Sequence, residues 1–390
     1  MLVDDHLGAV DRARVAGRGS VVVLSTYPPT ACGIATFSSA LCVGLAASGL
    51  DVGVAAVGDA EGAVDQRVVA RLDDRDGCGR VDVLEALERA DVVIVQHEYG
   101  LYAGADGESV CDLVEAISTP TIVVAHTVLA EPTPHQRSVL ERVVHAADLV
   151  VVMTEAGRRR LASSFDVDAA KVVVIPHGAA VPPGPQRGRA GGPPMLLTWG
   201  LLGPGKGIEW AIDALALLGD LSPRPRYLIA GNTHPKVVAS SGEAYREMLG
   251  TRARDAGVGS NVSFDARYRG IEALGRMIAQ SDVVVLPYDS SDQVTSGVLV
   301  DAVAAGRPVI ATAFPHAEEL LASGAGLVVP QRDPEALAHA IRRVLTEDGL
   351  AERMSAEARR LAPTLAWPAV AARYAALGDT LIASRGSVSA

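Results

Sequence analysis

Cysteine and aromatic residues are scarce in this 390-residue chain, and each shortage excludes a class of protein. The four cysteines, Cys32, Cys42, Cys78 and Cys111, form no CxxC pair and show no metal-ligand spacing. We therefore expect reduced thiols and no metal site. Aromatic residues make up 4% of the chain and hydrophobic residues 49%, so the cores must consist mainly of Val, Leu and Ala.

Long apolar runs and an excess of positive charge are also absent. No apolar run approaches the ~20 residues that a membrane-spanning helix needs. The residues before Ser20 contain no apolar signal-peptide core. The formal net charge of −11 argues against a nucleic-acid partner and gives no attraction to anionic lipid. We therefore expect a cytoplasmic protein with at most peripheral membrane contact.

Short apolar runs alternate with helix-patterned stretches, which is typical of doubly wound parallel sheets. One series occupies residues 20–181 and a second occupies 195–364, separated by a linker at 182–194 that is rich in Pro, Gly and Arg. Residues 1–19 are predicted to form a flexible tail, and 365–390 a terminal helix that packs back on the first domain. The predicted fold is α/β, with two Rossmann-like domains facing each other across a cleft.

The predicted strands are Ser20–Ser25, Val52–Val57, Val92–Val95, Thr121–Ala125, Leu149–Met153, Val172–Ile175, Met195–Thr198, Arg226–Ala230, Asn261–Phe264, Val283–Leu286, Pro308–Ala311 and Gly326–Val329.

The stretch at 288–312 organises the second half of the chain. It follows a predicted buried strand and leads through a polar loop into a helix that begins near Gly297. The amides of Ser296, Gly297 and Val298 lie in the first turn, where free N–H groups and the macrodipole favour an anion. Asp301, one turn further on, offers two acceptor oxygens. A diphosphate at the amides and a ribose diol at Asp301 fit this pattern, and so does an ordinary capped crossover.

Four further candidates follow predicted strands, where doubly wound sheets bind ligands. Gly33 lets backbone approach a bound group, His97 and His126 follow two strands of the first series, and Lys206 lies in a glycine loop. A phosphate oxygen suits a mobile ammonium beside flexible glycines. The alternatives are structural histidines and a solvent-exposed lysine. The turn after the first strand is not a GxGxxG fingerprint, which argues against a nicotinamide cofactor.

These motifs together resemble glycosyltransferase family 4 enzymes of the GT-B fold, and more narrowly the mannosyltransferase-like branch of bacterial polysaccharide synthesis. The resemblance covers residues 20–385. It rests on Tyr27-Pro-Pro-Thr-Ala-Cys-Gly-Ile-Ala, Gln96-His-Glu-Tyr-Gly, Gly200-Leu-Leu-Gly-Pro-Gly-Lys-Gly and the segment from Pro287 to Gly306, with weaker support from Ile175-Pro-His-Gly and Trp367.

The resemblance implies a retaining hexosyltransferase (EC 2.4) with a nucleotide-sugar donor and no prosthetic group or required metal. The expected donor is GDP-mannose, with a UDP-sugar as the alternative. The expected acceptor is a hydroxyl on a glycan, a lipid-linked compound or a small molecule. The donor would be held mainly by the second domain and the acceptor mainly by the first.

The resemblance also implies a role for each matching residue. Lys206 would hold the donor phosphates, the amides at the start of the helix near Gly297 would cap the diphosphate, and Gly33 would leave space for it. His126 would face the sugar. Arg267 and Tyr268 would lie beside the nucleobase.

Three positions depart from the family pattern. The family commonly has two glutamates separated by seven residues, and here these are Gln293 and Asp301. The neighbouring Asp292 is a candidate to supply the missing charge. An arginine that often accompanies the lysine is Leu201. The alternative function is therefore a catalytically degenerate GT-B protein that binds a sugar nucleotide as a sensor or scaffold. The candidate catalytic residues are His126, Lys206, Gln293 and Asp292.

Overall fold

The structure is a computed structural model, and it describes residues 19–30, 32–58, 65–73, 77–182, 192–267, 269–290 and 292–388. Almost all of the predicted tail (1–19), most of the predicted linker (182–194) and Tyr268 lie outside the described residues.

Thirteen strands and fourteen α-helices occur in these ranges, together with two 3-10 turns at Ala105–Gly107 and Ala169–Lys171. The strands are β1 (Ser20–Ser25), β2 (Asp51–Val57), β3 (Val68–Leu72), β4 (Val92–His97), β5 (Thr121–Ala125), β6 (Leu149–Val152), β7 (Val172–Val174), β8 (Met195–Trp199), β9 (Arg226–Ala230), β10 (Val262–Asp265), β11 (Val283–Leu286), β12 (Val309–Thr312) and β13 (Gly326–Val329). The helices are α1 (Gly33–Ala47), α2 (Arg80–Glu88), α3 (Ser109–Ala116), α4 (Pro134–Ala146), α5 (Glu155–Ser164), α6 (Ile208–Ala216), α7 (Pro235–Ser241), α8 (Ala244–Asp255), α9 (Ile271–Gln280), α10 (Gly297–Ala304), α11 (Pro315–Leu320), α12 (Pro334–Thr346), α13 (Leu350–Leu365) and α14 (Trp367–Val388).

The strands form two parallel sheets with the same winding. The first sheet has the order β3-β2-β1-β4-β5-β6-β7 and the second the order β10-β9-β8-β11-β12-β13. In each sheet the order reverses beside the first strand, because β1 pairs with both β2 and β4, and β8 pairs with both β9 and β11. Such a reversal opens a crevice at the carboxyl ends of the strands. The loops after β1, β4, β8 and β11 are therefore where a ligand is expected.

Burial on both faces of each sheet explains the continuous apolar runs in the sequence. Within β1, Val22 and Leu24 pack into one core cluster while Val21 and Val23 pack into the cluster on the opposite face. All four residues of β11 are buried. The side chains are mostly Val, Leu, Ile and Ala, as the composition predicts.

All twelve predicted strands occur, with ends that differ by at most two residues from the prediction. The strand that sequence reasoning missed is β3, an edge strand with the mixed burial expected at a sheet edge. Pro363 lies inside α13, and the terminal helix α14 begins at Trp367. None of the helices in the described ranges is both long and apolar enough to cross a bilayer.

The chain returns to the first sheet at its C-terminal end. Ala179 donates its N–H to the Leu365 carbonyl at 2.8 Å, and Trp367 donates its N–H to the Ala179 carbonyl at 3.2 Å. From there α14 runs against α1, with Ala371 and Tyr374 buried in the core cluster that covers one face of the first sheet. The division of the chain into domains at the stated residues stays a prediction.

The close approach of α1 and α14 predicts a stability effect at Gly44. A Cβ added there would lie 2.5 Å from the Ala371 Cβ, whereas a Cβ on Gly275 of α9 would meet no atom within 4 Å. We expect Gly44→Ala to lower the free energy of unfolding by about 1–3 kcal/mol through overpacking. The matched variant Gly275→Ala should raise it by roughly 0.5–1 kcal/mol. Denaturant unfolding measures both, and an unaffected Gly44→Ala protein would show that the helices are farther apart.

Candidate functional site

The start of α10 lies just beyond the carboxyl end of β11, and Ser296 is its N-cap. Its hydroxyl oxygen accepts the Leu299 N–H at 3.2 Å, and its own N–H is donated to His316 Nδ1 at 2.8 Å. Burial lowers the pKa of His316 to about 3, so the ring is neutral and able to accept. The Ser296 amide is therefore already bonded, which revises the predicted set of three free amides. Those of Gly297 and Val298 have no hydrogen-bond acceptor in the part of the chain that the structure describes.

His177 lies against the same first turn. Its Nε2 atom is 2.8 Å from the position that a Cβ on Gly297 would occupy, so a larger residue there would collide with the ring. Nδ1 donates to the Gly178 carbonyl at 2.7 Å, which leaves the Nε2 lone pair towards α10. Burial lowers the pKa of His177 to about 4. Sequence reasoning gave this histidine no role, although it follows the last strand of the first sheet.

The glycine loop that carries Lys206 packs against the loop after β11. Gly207 has φ +60°, and a Cβ there would lie 1.8 Å from the Pro287 carbonyl oxygen. The Asp289 N–H is donated to the Gly205 carbonyl at 3.1 Å. These contacts place the Lys206 ammonium 4.3 Å from the centre of the Tyr288 ring. Within the described ranges no carboxylate forms an ion pair with Lys206, so its charge is available to a ligand.

Gly200 joins this loop to the start of α10. A Cβ on Gly200 would lie 3.6 Å from a methyl group of Val298. The glycine loop and the first turn of α10 are thus neighbours, as the family resemblance implies. We call the space between them the α10 mouth.

Asp301 lies one turn into α10 and is half-buried. Burial raises the pKa of its carboxyl to about 7. No hydrogen-bond donor or cation contacts this carboxyl among the residues that the structure describes. An acceptor of this kind fits a ligand hydroxyl, because such a hydroxyl would supply the missing donor.

The first domain brings His126 close to this region. Its Nε2 atom lies 2.7 Å from Gln96 Oε1, and its ring lies edge-on to Phe37 at 4.9 Å. Because a carboxamide oxygen only accepts, Nε2 carries the proton and Nδ1 is the acceptor. Burial, with a smaller contribution from His177, lowers the pKa of His126 to about 3. His97, the other predicted histidine, is buried with neither ring nitrogen hydrogen-bonded.

Gly33 and Arg267 occupy more open positions. A Cβ on Gly33 would meet no atom within 4 Å, so the start of α1 is open to a ligand. The guanidinium of Arg267 is 77% exposed and pairs with Asp265 at 2.9 Å. Its partner in the predicted nucleobase contact, Tyr268, lies outside the described residues.

The two residues at the place of the family's first glutamate are both engaged. Gln293 donates its side-chain N–H to the Thr295 carbonyl. Asp292 Oδ1 accepts the Ala130 N–H at 2.9 Å and lies 3.5 Å from an Arg160 nitrogen. In this arrangement the Asp292 carboxylate binds first-domain groups. Its use as a substitute charge therefore requires that these contacts break.

Further contacts seat the loop before α10 in the first domain. The Thr154 hydroxyl donates to the Val294 carbonyl at 2.9 Å and accepts the Gly157 N–H at 2.9 Å. Val294 itself is 3% exposed and belongs to the core cluster of the first sheet. The Glu319 carboxylate accepts the first two N–H groups of α5 at 2.9 and 2.8 Å. Sequence reasoning missed Thr154, Val294 and Glu319.

Solved structures with this architecture identify the class of fold. Sucrose-phosphate synthase from Thermosynechococcus elongatus has a TM-score of 0.74 at 20% identity, covering 94% of this chain and 100% of that one. Anabaena HepE in complex with UDP-glucose has a TM-score of 0.70 at 16% identity, covering 93% and 100%. The predicted GT-B fold of two parallel-sheet domains is confirmed.

The family follows from the sequence matches. "Glycosyltransferase Family 4" matches residues 31–181 and "Glycosyl transferases group 1" matches residues 185–361. The D-inositol 3-phosphate glycosyltransferase of Corynebacterium glutamicum is 30% identical over 68% of each chain. That of Kineococcus radiotolerans is 30% identical over 64% of this chain and 61% of its own length. The chain belongs to the family 4 glycosyltransferases, whose donor is a nucleotide sugar.

In the described ranges no group of three or more His, Cys, Asp or Glu side chains is arranged to hold a metal ion. Independence from metal stays a prediction.

The raised pKa of Asp301 predicts a pH-dependent stability. The folded-state pKa of about 7 exceeds the ordinary value of 3.8, so the folded protein binds the extra proton between these values. The free energy of unfolding should therefore fall as pH rises from about 4 to 7, by on the order of 1–3 kcal/mol from this group. Asp301→Asn should flatten that fall, whereas Asp379→Asn, at an exposed site on α14, should not. Equal slopes for Asp301→Asn and the parent protein would contradict the burial of this carboxyl.

The bond between Thr154 and the loop before α10 predicts an effect on nucleotide affinity that is distinct from the role of Thr154 as a helix cap. Thr154→Val leaves the Val294 carbonyl unpaired, so nucleotide affinity at the α10 mouth should weaken about tenfold. Thr154→Ser keeps the hydroxyl and should restore affinity. Thr133→Val is the matched control, because Thr133 caps α4 by accepting the Gln136 N–H at 3.1 Å without a second-domain partner.

Titration calorimetry with a nucleoside diphosphate measures these affinities, and thermal unfolding measures the loss of each cap. Equal loss of affinity in Thr154→Val and Thr133→Val would mean that Thr154 acts only as a helix cap.

Proposed function

We propose that the protein transfers a hexose from a nucleotide sugar to an acceptor hydroxyl with retention of configuration, in glycan synthesis in the cytoplasm. The observation that supports this proposal is the α10 mouth, where the macrodipole and two amides without a hydrogen-bond partner in the described ranges adjoin the glycine loop that carries Lys206. These groups suit a diphosphate. GDP-mannose is the first candidate donor and a UDP-sugar the second.

The α10 mouth supplies hydrogen-bond donors and a positive charge, which a departing nucleoside diphosphate needs. When the bond from the anomeric carbon to the phosphate oxygen breaks, negative charge grows on the diphosphate, and pre-aimed donors stabilise it. The amides of Gly297 and Val298 and the charge of Lys206 take this role. Gly33 leaves room for the same group at the start of α1.

The acceptor hydroxyl attacks from the face that the diphosphate leaves, which retains configuration. Its oxygen bonds to the anomeric carbon, and its proton passes to a phosphate oxygen of the leaving group. His126, neutral and fixed by Gln96, faces the sugar, and Gln293 binds a sugar hydroxyl. Asp301 accepts from the ribose diol, and the nucleobase lies near Arg267 and Tyr268.

No single contact identifies the nucleobase or the sugar of the donor. A structural neighbour was solved with UDP-glucose, and relatives are named D-inositol 3-phosphate glycosyltransferase. Both GDP- and UDP-sugars therefore belong in the test. Glycan, lipid-linked and small-molecule acceptors remain in the proposal.

A sensor or scaffold without turnover is the second candidate. It is favoured by the amide at Gln293 and by the engagement of Asp292 with Ala130 and Arg160. A sensor would gain thermal stability from a sugar nucleotide without releasing free nucleotide. The transferase would show both, and a protein that shows neither would exclude both candidates.

Lysine substitutions test the diphosphate site directly. Lys206→Ala should reduce turnover by roughly 10²-fold or more, because loss of one such donor typically costs about 2.7–4 kcal/mol of barrier. Lys171→Ala is the matched control, since its ammonium bonds the carbonyls of His145 and Ala147 in the first domain. Release of nucleotide from GDP-mannose and UDP-glucose measures the rates. Equal rates for Lys206→Ala and Lys171→Ala would contradict the proposed site.

A further inference from the structure

The acceptor side of the cleft differs in charge from the donor side. The connections that follow β1, β4, β5 and β6 contain no lysine or arginine. Instead the connections after β4 and β5 carry four carboxylates, those of Glu98, Asp106, Glu108 and Glu131. A phosphate monoester is recognised by cations, by bidentate arginine or by the open start of a helix. Side chains in these connections supply no such cation.

The helix starts at this edge are also filled by the protein's own groups. Thr133 and Gln136 close the start of α4 with a reciprocal capping box. Glu319 and Thr154 accept the first N–H groups of α5. The open start of α1 at Gly33 belongs to the donor in the proposed function. An acceptor phosphate would therefore have to displace a carboxylate to reach α5.

Two arginines of the neighbouring helices bond carbonyl groups of the protein. Arg137 of α4 donates to the Ser164 carbonyl and lies over the Phe165 ring. Arg160 of α5 donates to the Val128 carbonyl at 3.0 Å. Lys236 of α7 reaches this edge from the second domain, with Nζ 2.8 Å from the position of a Cβ on Gly100.

Glu98, directly after β4, is a hydrogen-bond acceptor. It accepts the Thr127 hydroxyl and the Tyr99 N–H, the latter at 3.1 Å. Burial raises the pKa of the Glu98 carboxyl, while its bonds to Thr127 and Tyr99 and the nearby Lys236 ammonium oppose that rise. Gln96 Nε2 and the Tyr99 hydroxyl, on the same segment, are buried without a partner. A carboxylate beside unpaired neutral donors suits hydroxyl groups, which both donate and accept.

We propose that the first domain selects an uncharged polyhydroxyl acceptor and excludes phosphorylated acceptors, including the D-inositol 3-phosphate for which the relatives are named. This inference rests on the proposed function, because it takes the first domain as the acceptor side. Glu98 is the specificity-determining residue. Its oxygens accept from acceptor hydroxyls, and it offers a phosphate no cation.

The test compares matched acceptors that differ by one phosphate. Binding of GDP and UDP is measured first by calorimetry, which examines the donor site alone. Initial rates are then compared for myo-inositol against D-inositol 3-phosphate and for methyl mannoside against its 6-phosphate. We expect the uncharged member of any productive pair to have at least a tenfold higher kcat/KM. A phosphorylated member that is preferred would overturn the proposal.

Variants separate charge from structure. Glu98→Gln should reduce discrimination against the phosphate at least threefold. The control Glu115→Gln, on α3, loses an exposed ion pair with Arg142 of α4 and should not change discrimination. If no pair is productive, D-inositol 3-phosphate is titrated into protein saturated with nucleoside diphosphate, or into free protein if no nucleotide binds. Absence of heat supports exclusion and one-to-one binding refutes it. Failure to bind any nucleotide would refute the proposed function separately.

Discussion

One hydrogen bond between the domains determines where the candidate site lies, namely that from the Thr154 hydroxyl to the Val294 carbonyl. It is reinforced by burial of the Val294 side chain in the core of the first sheet, so the loop before α10 is anchored in the opposite domain. The N-cap of α10, Ser296, comes two residues later. A helix start that belongs to the second sheet is thereby held over the strand ends of the first. Removing this bond would weaken the contact between the loop before α10 and the first domain.

The electrostatics of the site come from groups that do not need to ionise. Burial lowers the pKa values of His126, His177 and His316 far enough that all three rings are neutral near pH 7. Positive potential at the α10 mouth therefore comes from backbone amides, the macrodipole and Lys206. These neutral histidines contribute oriented hydrogen bonds and no charge. In each of them one ring nitrogen is hydrogen-bonded to another group of the protein. Asp301 follows the same rule, because burial makes its carboxylate costly until a ligand supplies a donor.

The sequence predicted much of the fold because buried parallel strands leave uninterrupted apolar runs. The resemblance implied that Lys206 and the start of α10 share one ligand, and their loops do meet because β8 and β11 are neighbouring strands. Sequence reasoning missed β3, whose edge position leaves no uninterrupted apolar run, and it missed the pairs that join distant segments. Ser296 and His316 are 20 residues apart, and Thr154 and Val294 are 140 apart. No local pattern records such pairs, so the bonded Ser296 amide and the engaged Asp292 emerge only from the folded chain.

A crystal structure of the protein with a bound nucleoside diphosphate tests the central claim most directly. The account predicts diphosphate oxygens within hydrogen-bond distance of the Gly297 and Val298 amides and of the Lys206 ammonium, with the ribose diol at Asp301. A nucleotide bound away from the start of α10, with Lys206 directed to solvent, would contradict it.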